Sequence, residues 1–240
     1  MDNSFPKKDI TFESTFMGFD ILRSNNNDLG TYMSSMKKII KEVDRMIDKH
    51  NKILFTRFDI RVPQDVPIQD PKKCFTRIGE SLKRDIVAST KNSPHDVDLI
   101  MFKSEEQTKE STNPHAHYFV MCNGNVIQNA YKITEAANRH AKRIFDTDKD
   151  GLVHRSNALG EKGLLARKDD KDFHKNVQKA VLSASYLSKV KGKQNTKKGT
   201  QRLTVSRSNN KSKNKWCIGL LYSSSNWLEL LLYIKRNYMN

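Results

Sequence analysis

Apolar residues between Leu29 and Ile53 recur at Met33, Met36, Ile39, Ile40, Val43, Met46 and Ile47. This three-and-four spacing predicts an amphipathic helix. Lys37, Lys38, Lys41, Arg45 and Lys49 lie along it, so it reads as a helix packed on a core or as one that meets DNA. From Ile53 to Val62 the period changes to two. Phe55, Arg57, Asp59 and Arg61 fall on one face and Leu54, Phe58, Ile60 and Val62 on the other, a half-buried strand. Pro63, Pro67 and Pro71 mark a loop, and Lys73 to Ser89 returns to helical spacing with Phe75, Ile78, Leu82, Ile86 and Val87 inward. Asp98 to Glu106 reads as a strand, the polar run Gln107 to Pro114 as a connecting loop, and His115 onward as an antiparallel partner. Asn123-Gly124 after it is a hairpin turn signal. Ile133 to Phe145 predicts a helix with Thr134 as N-cap and Glu135 in its first turn. Gly151 to His154 reads as a strand, Arg155 to Asp170 as an irregular polar loop, and Asp172 to Val190 as a helix. The order predicts an α/β (α+β) protein, a central antiparallel sheet with flanking helices.

The two ends read differently. Met1 to Asp28 is polar and mixed, a loose arm. Lys191 to Lys215 is basic, with Leu203 and Val205 as its few apolar residues, and suits one short strand in a mobile segment. Trp216 to Asn240 turns apolar, and Ser225 or Asn226 suits the cap of a short helix open to packing or a dimer contact. Residues 1–50 thus form an N-terminal arm and helix, 51–207 the main domain, and 208–240 a basic linker with a short helix.

Charge narrows the function classes. The 240 residues carry 43 Lys and Arg against 27 Asp and Glu, a formal net charge of +16. No acidic residue lies between Phe173 and Leu228. Such a balance points to nucleic acid or an anionic surface as partner. The apolar stretch from Cys217 to Ile234 is broken by Ser223, Ser224, Ser225, Asn226 and Glu229, against a membrane span. Cys74, Cys122 and Cys217 are scattered with no C-x-x-C pair. They argue against disulfides and a thiolate zinc site and for a reducing, cytoplasmic setting. The N-terminus has no apolar signal region.

Candidate chemistry centres on His115-Ala-His117. Two residues apart on a strand, both imidazoles point to one face and can start a divalent-metal site. Glu106, at the end of the preceding strand, falls opposite His115 and offers an oxygen ligand; Glu105 beside it is the alternative. Downstream, Tyr186 and Lys189 sit three apart and would share a helix face, where an ammonium eases ionisation of a phenol. Asp146 to Gly151 matches the first half of a calcium loop, but the twelfth position is Asn157, so it reads as an acidic turn. His50, His95, His140, His154 and His174 have no spaced partner and read as ordinary surface or core residues.

Several segments in this order carry a family likeness. They are Phe55 to Pro63, Glu106-Gln107, Pro114-His-Ala-His-Tyr118, Gly151 to His154, Tyr186-Leu-Ser-Lys-Val190 and Arg202 to Arg207. The chain resembles the HUH endonucleases, the rolling-circle replication initiators, and within them the inovirus-type, YagK/YfjJ-like replication proteins. The resemblance implies a ferredoxin-like nuclease fold over 51–207 and a nickase acting on single-stranded or origin DNA. It implies Mg²⁺ or Mn²⁺ on His115, His117 and Glu106, Tyr186 as nucleophile and Lys189 as its helper. The expected product is a 5′-phosphotyrosine with a free 3′-OH, and the host replication helicase and polymerase are the implied further partners. Arg57 and Arg61, on the family's first motif strand, would meet DNA phosphate or form a solvated strand face. Lys191, Lys193, Lys197, Lys198, Arg202 and Arg207 would track the phosphate backbone. Val190 stands where two-tyrosine initiators carry a second tyrosine, so the expectation is a single-tyrosine enzyme. A single-tyrosine transposase and a non-catalytic DNA-binding protein are the alternatives. The oligomeric state, DNA site and physiological metal are not legible.

Overall fold

The structure is a computed structural model that describes residues 9–22, 30–106, 114–190 and 202–206. The chain divides into two compact units, Met1–Ser208 and Asn209–Asn240, and every described residue belongs to the first. The expected C-terminal helix lies outside the described residues, as do Lys191, Lys193, Lys197, Lys198 and Arg207.

The start of the chain is more built than its polar composition predicts. Strands β1 (Ile10–Thr11) and β4 (Thr31–Tyr32) pair, and β2 (Thr15–Phe16) and β3 (Phe19–Asp20) form a small hairpin. Phe16 and Ile21 are buried in the main core, so residues 9–22 are not a loose arm. Helix α1 (Met33–Lys49) follows, with Met36, Ile39, Ile40, Val43, Met46 and Ile47 all buried. Its apolar stripe packs on the core as expected.

The central sheet has β5 (Lys52–Arg61) at its heart. Helix α2 (Pro71–Ser89) leads from it to β6 (Ile100–Glu106), β7 (His115–Asn123), helix α3 (Tyr131–Phe145) and β8 (Val153–Arg155). Strand β9 (Leu164–Arg167), helix α4 (Phe173–Ser185) and β10 (Thr204–Val205) complete the unit. The spatial order is β10-β6-β7-β5-β8, with β9 also on β5, and every pairing is antiparallel. From β5 to β8 the connectivity is βαββαβ; the strands joined through a helix, β5/β6 and β7/β8, are each separated by one other strand, the ferredoxin-like arrangement.

Both faces of the sheet are covered. Helices α2 and α3 meet one face through Phe75, Ile78, Leu82, Ile133 and Ala137, against Leu54, Phe58, Ile60, Tyr118 and Val120. Helices α1 and α4 meet the other through Ile39, Val43, Val177 and Val181, against Ile53, Phe55, Phe102, Phe119 and Met121. Each fully buried Phe or Ile here contributes about 1.5–3 kcal/mol. β5 is therefore more than half-buried: its alternation separates two covered faces, and Arg61, its last residue, is its one exposed position.

Four local expectations are corrected. Asn123-Gly124 makes a turn but no hairpin, because the chain leaves it for α3 while both edges of β7 are taken by β5 and β6. Gly124 is needed there for close approach: a Cβ would lie 2.7 Å from Leu165 Cδ1 and 3.0 Å from Lys52 Cβ. Helix α3 starts at Tyr131, two residues early, and Thr134 does not cap it. The Thr134 hydroxyl donates to the Ala130 carbonyl and accepts from Arg155 Nε. The polar stretch after Arg155 hides strand β9, whose four residues pair with Lys52–Phe55. Helix α2 also starts two residues earlier than the expected Lys73: Pro71, read as loop, opens it, and the Asp70 carboxylate accepts from the Lys73 amide at 2.9 Å.

Candidate active site

Antiparallel register turns sequence spacing into a cluster. Glu106, His115 and Arg61 are directly opposite one another across β6, β7 and β5. The next row inward on the same face is Ser104, His117, Asp59 and His154. The row after it is Phe102, Phe119 and Arg57. One face of the sheet thus grades from an apolar core under α1 and α4 to a polar end. Side chains opposite each other on antiparallel strands lie close enough to interact.

The predicted triad comes together. Ligand atoms of Glu106, His115 and His117 lie within 4.8 Å of one another. Glu106 Oε2 is 2.9 Å from His117 Nε2 and 3.8 Å from His115 Nε2, and the two imidazole rings are edge-on at 4.7 Å. Neighbouring ligands of one Mg²⁺-sized ion sit about 3 Å apart, given bonds of about 2.1 Å. The donor set therefore suits a small divalent cation bound by two histidines and a carboxylate, with positions left for substrate oxygens. Glu105, the alternative, points to the opposite face, away from both histidines, where its Oε1 takes Lys103 Nζ at 2.7 Å.

Asp59 is the residue that sequence reasoning overlooked. Its Oδ1 is 2.6 Å from His117 Nδ1, on the far side of the ring from Glu106. A proton on Nδ1 donated to Asp59 leaves Nε2 free to face a cation, the usual way a second carboxylate sets a ligand's tautomer and orientation. The signal was present, since Asp59 shares the Arg57/Arg61 face, but only the register with β7 links it to His117.

The electrostatics fit a cation site. Burial pulls the His115 pKa down, and the neighbouring His117 adds to this, so His115 stays neutral and able to ligate. Burial acts the same way on His117 but is outweighed by its hydrogen bonds to Asp59 and Glu106, which raise it. Asp59 is held below the usual carboxylate range: burial opposes this, and the His117 hydrogen bond and the Arg57 charge prevail. A proton on His117 Nε2 would satisfy Glu106 alone. A divalent cation would take Glu106, His117 and His115 together.

Tyr186 stands at this cluster, but not on the predicted helix. α4 ends at Ser185, and Tyr186–Ser188 form a single 3₁₀ turn. Lys189 follows with extended backbone, so the pair shares no α-helical face. Instead Lys189 Nζ lies 3.6 Å from the Tyr186 ring centroid, over the π face. The His117 ring is 4.8 Å away at 74°, and Arg57 Cζ lies 4.4 Å from the same centroid. Burial, then Glu106 and Asp59, raise the Tyr186 pKa above that of an ordinary phenol, against Arg57 and Arg61. The phenol is thus protonated near neutrality. Tyr118, next to both histidines in sequence, is on the opposite face, where it stacks on Phe58 and donates to the Phe75 carbonyl at 2.7 Å.

The cationic candidates separate. Arg61 is exposed beside His115 at the mouth of the cluster. Arg57 is half-buried beneath Tyr186 and donates through Nη1 to the Ser183 carbonyl at 3.2 Å. Arg202 lies over the Tyr32 ring at 4.2 Å and 4.0 Å from Asp9, a clasp between the N-terminal strands and the β10 edge.

The sequence model of the YagK/YfjJ C-terminal domain family matches residues 11–202, which include every described residue of the cluster. No curated protein and no solved structure matches the chain. Among the described residues, no helix is long and apolar enough to cross a membrane.

Proposed function

The chain belongs to the YagK/YfjJ C-terminal domain family, and from that premise we propose that it is a metal-dependent, single-tyrosine DNA-nicking enzyme and strand transferase. The observation that carries the reading is the contact of the Tyr186 ring with His117, 4.8 Å apart, beside the Glu106 and His115 donors. A lone H-x-H or a lone tyrosine would mean little. A phenol packed against a cation-binding triad in a chain of net charge +16 is suited to chemistry on a phosphodiester.

His115, His117 and Glu106 would hold Mg²⁺ or Mn²⁺, whose charge would polarise the scissile phosphate of single-stranded or origin DNA. Asp59 keeps His117 oriented. The Tyr186 oxygen attacks phosphorus in line and the bond to the 3′ oxygen breaks, leaving a 5′-phosphotyrosine and a free 3′-OH. The phenolic proton goes to solvent or a nearby base as the bond forms. The link conserves the phosphodiester, so attack by a 3′-OH rejoins the strand, and the released 3′-OH can prime a polymerase. Such a reaction would serve rolling-circle replication of a phage-like or mobile element. Lys189 on the ring and Arg61 at the mouth oppose the negative charge that builds up.

The test is incubation with single-stranded circular DNA and Mn²⁺, with denaturing electrophoresis for a covalent protein–DNA adduct. The expected result is an adduct whose modified peptide carries Tyr186, absent from Tyr186→Phe. An adduct on another tyrosine, or nicking that survives Tyr186→Phe, would overturn the reading. DNA binding with no cleavage would favour a non-catalytic DNA-binding protein.

A further inference from the structure

Arg57 is an unusual guanidinium. It comes from the middle of the central strand, in the row between the polar cluster and the apolar core, opposite Phe119. Its Nη1 donates to the carbonyl of Ser183. α4 ends at Ser185, so that carbonyl is among the last four of the helix, which lack an intrahelical donor. The cation also sits at the negative end of the helix dipole. Its Cζ lies 4.4 Å from the centroid of the Tyr186 ring, one residue beyond the helix. Its Nε is buried and has no hydrogen-bond partner. A buried unsatisfied donor is costly, so the arrangement needs an explanation.

Solvated phosphate contact does not supply one, because an arginine reaching for DNA would not spend its fork on a helix carbonyl beneath an aromatic ring. From this geometry we infer that Arg57 is a positioning residue, which ties the end of α4 to the sheet and holds the Tyr186 ring against His117. The inference rests on the proposed role of Tyr186. A flat guanidinium is fitted to this: it stacks on a ring while its edge donates in the plane, which an ammonium cannot do. Lys189 approaches the same ring from the following turn, 3.6 Å from its centroid. The ring is thereby located by a strand residue and by its own turn. Attack on phosphorus needs the oxygen aligned with the leaving group, and a misplacement of about 1 Å can cost on the order of a hundredfold in rate.

The experiment compares wild type, Arg57→Lys and Arg57→Gln in three measurements. Single-turnover adduct formation at saturating single-stranded DNA and Mn²⁺ should slow on the order of ten- to a hundredfold in Arg57→Gln. Arg57→Lys should recover only part of this, since the charge returns without the planar fork. DNA affinity, measured in a Tyr186→Phe background, should keep its salt dependence. A phosphate contact predicts the reverse: a log–log salt slope shallower by about 0.7 and an unchanged rate at saturation. The third measurement needs no DNA. In free protein carrying ring-labelled tyrosine, nuclear Overhauser contacts between Tyr186 and His117 should weaken in Arg57→Gln, with melting temperatures checking that the variants fold. If wild type forms no adduct, the nickase reading fails and this ring measurement alone decides the positioning role. Intact Tyr186–His117 contacts in a folded Arg57→Gln protein would overturn it, as would full recovery by Arg57→Lys.

Discussion

Among the described residues, the histidine–carboxylate clusters around Asp98 and around His117 differ in how their charges are met. In the first, the Asp98 carboxylate takes Arg45 at 3.2 Å, Lys49 at 2.8 Å and His50 at 3.0 Å. One anion has three donors, all from α1 and the residue after it, and the group ties that helix to the start of β6. In the second, His117 is shared between two carboxylates, Asp59 at 2.6 Å and Glu106 at 2.9 Å, and His115 has Glu106 at 3.8 Å. Here one imidazole faces two carboxylates. Burying charge is costly unless it is balanced; the first cluster is balanced by its own cations, and in the proposed reading a divalent cation would balance the second. The same residue types thus form a clamp in one place and, in the proposed reading, a binding site in the other: Asp98 meets the permanent cations Arg45 and Lys49, whereas Asp59 and Glu106 meet a histidine.

The largest effect should separate the two functionally. Replacing His115 and His117 together with alanine should abolish metal-dependent adduct formation while the fold survives. Calorimetric Mn²⁺ titration of the free protein checks it. Wild type should gain about 2.7 kcal/mol of unfolding free energy at 100 times the dissociation constant, and the double variant none. Nicking by the double variant at the wild-type rate would move the site elsewhere.

Asp59→Asn probes the orienting partner. It should weaken Mn²⁺ binding about 10- to 100-fold without removing it. An unchanged affinity would mean that Asp59 does not orient His117.

Asp98→Asn should do the opposite of the histidine variants. The side chains of Arg45 and Lys49 are 20% and 37% exposed, so water screens part of the loss. Destabilisation of about 2 kcal/mol is expected in urea, with Mn²⁺ affinity intact. The pH dependence follows. Burial would raise the Asp98 pKa, but hydrogen bonds from His50, Arg45 and Lys49 hold it well below the usual carboxylate range. A carboxyl whose pKa is depressed on folding adds stability above its unfolded value of about 3.9, and that stability is lost as the pH falls through the folded value. Wild type should therefore lose stability on acidification below about pH 4 more steeply than Asp98→Asn. Parallel curves would show that Asp98 is not the clamp.

The smallest effect concerns the ring. Lys189→Ala should slow adduct formation roughly three- to fivefold, the worth of one partly exposed cation–π contact. A loss as complete as that of Tyr186→Phe would instead make Lys189 essential to proton transfer.

Local pattern alone determined much of this protein. The stripe from Met33 to Ile47, the alternation from Leu54 to Val62 and the His115–His117 spacing each specify an element within a few residues, because periods of 3.6 and 2 are properties of the backbone. The antiparallel neighbour relation of Glu106 and His115 was also legible, since a short polar loop joins adjacent strands. Other features depend on which strand lies beside which. Asp59 meets His117 only because β5 was inserted beside β7 and not beside β6. Glu106 was told from Glu105 by the pleat, which sends adjacent residues to opposite faces. β9 was hidden because Leu164 to Arg167 is too short to show a period and is stabilised by its pairing with Lys52–Phe55. The end of α4 was misplaced because Leu187 continues the helical spacing, whereas the chain turns there to bring Tyr186 to the sheet, with Lys189 bridged to Thr31 and Val190 bonded to Gly30. Whether Arg57 faces solvent or a tyrosine ring was likewise set by where that turn lands. Sequence spacing could say which residues share a face; only the closed sheet and its covering helices decided what each face meets.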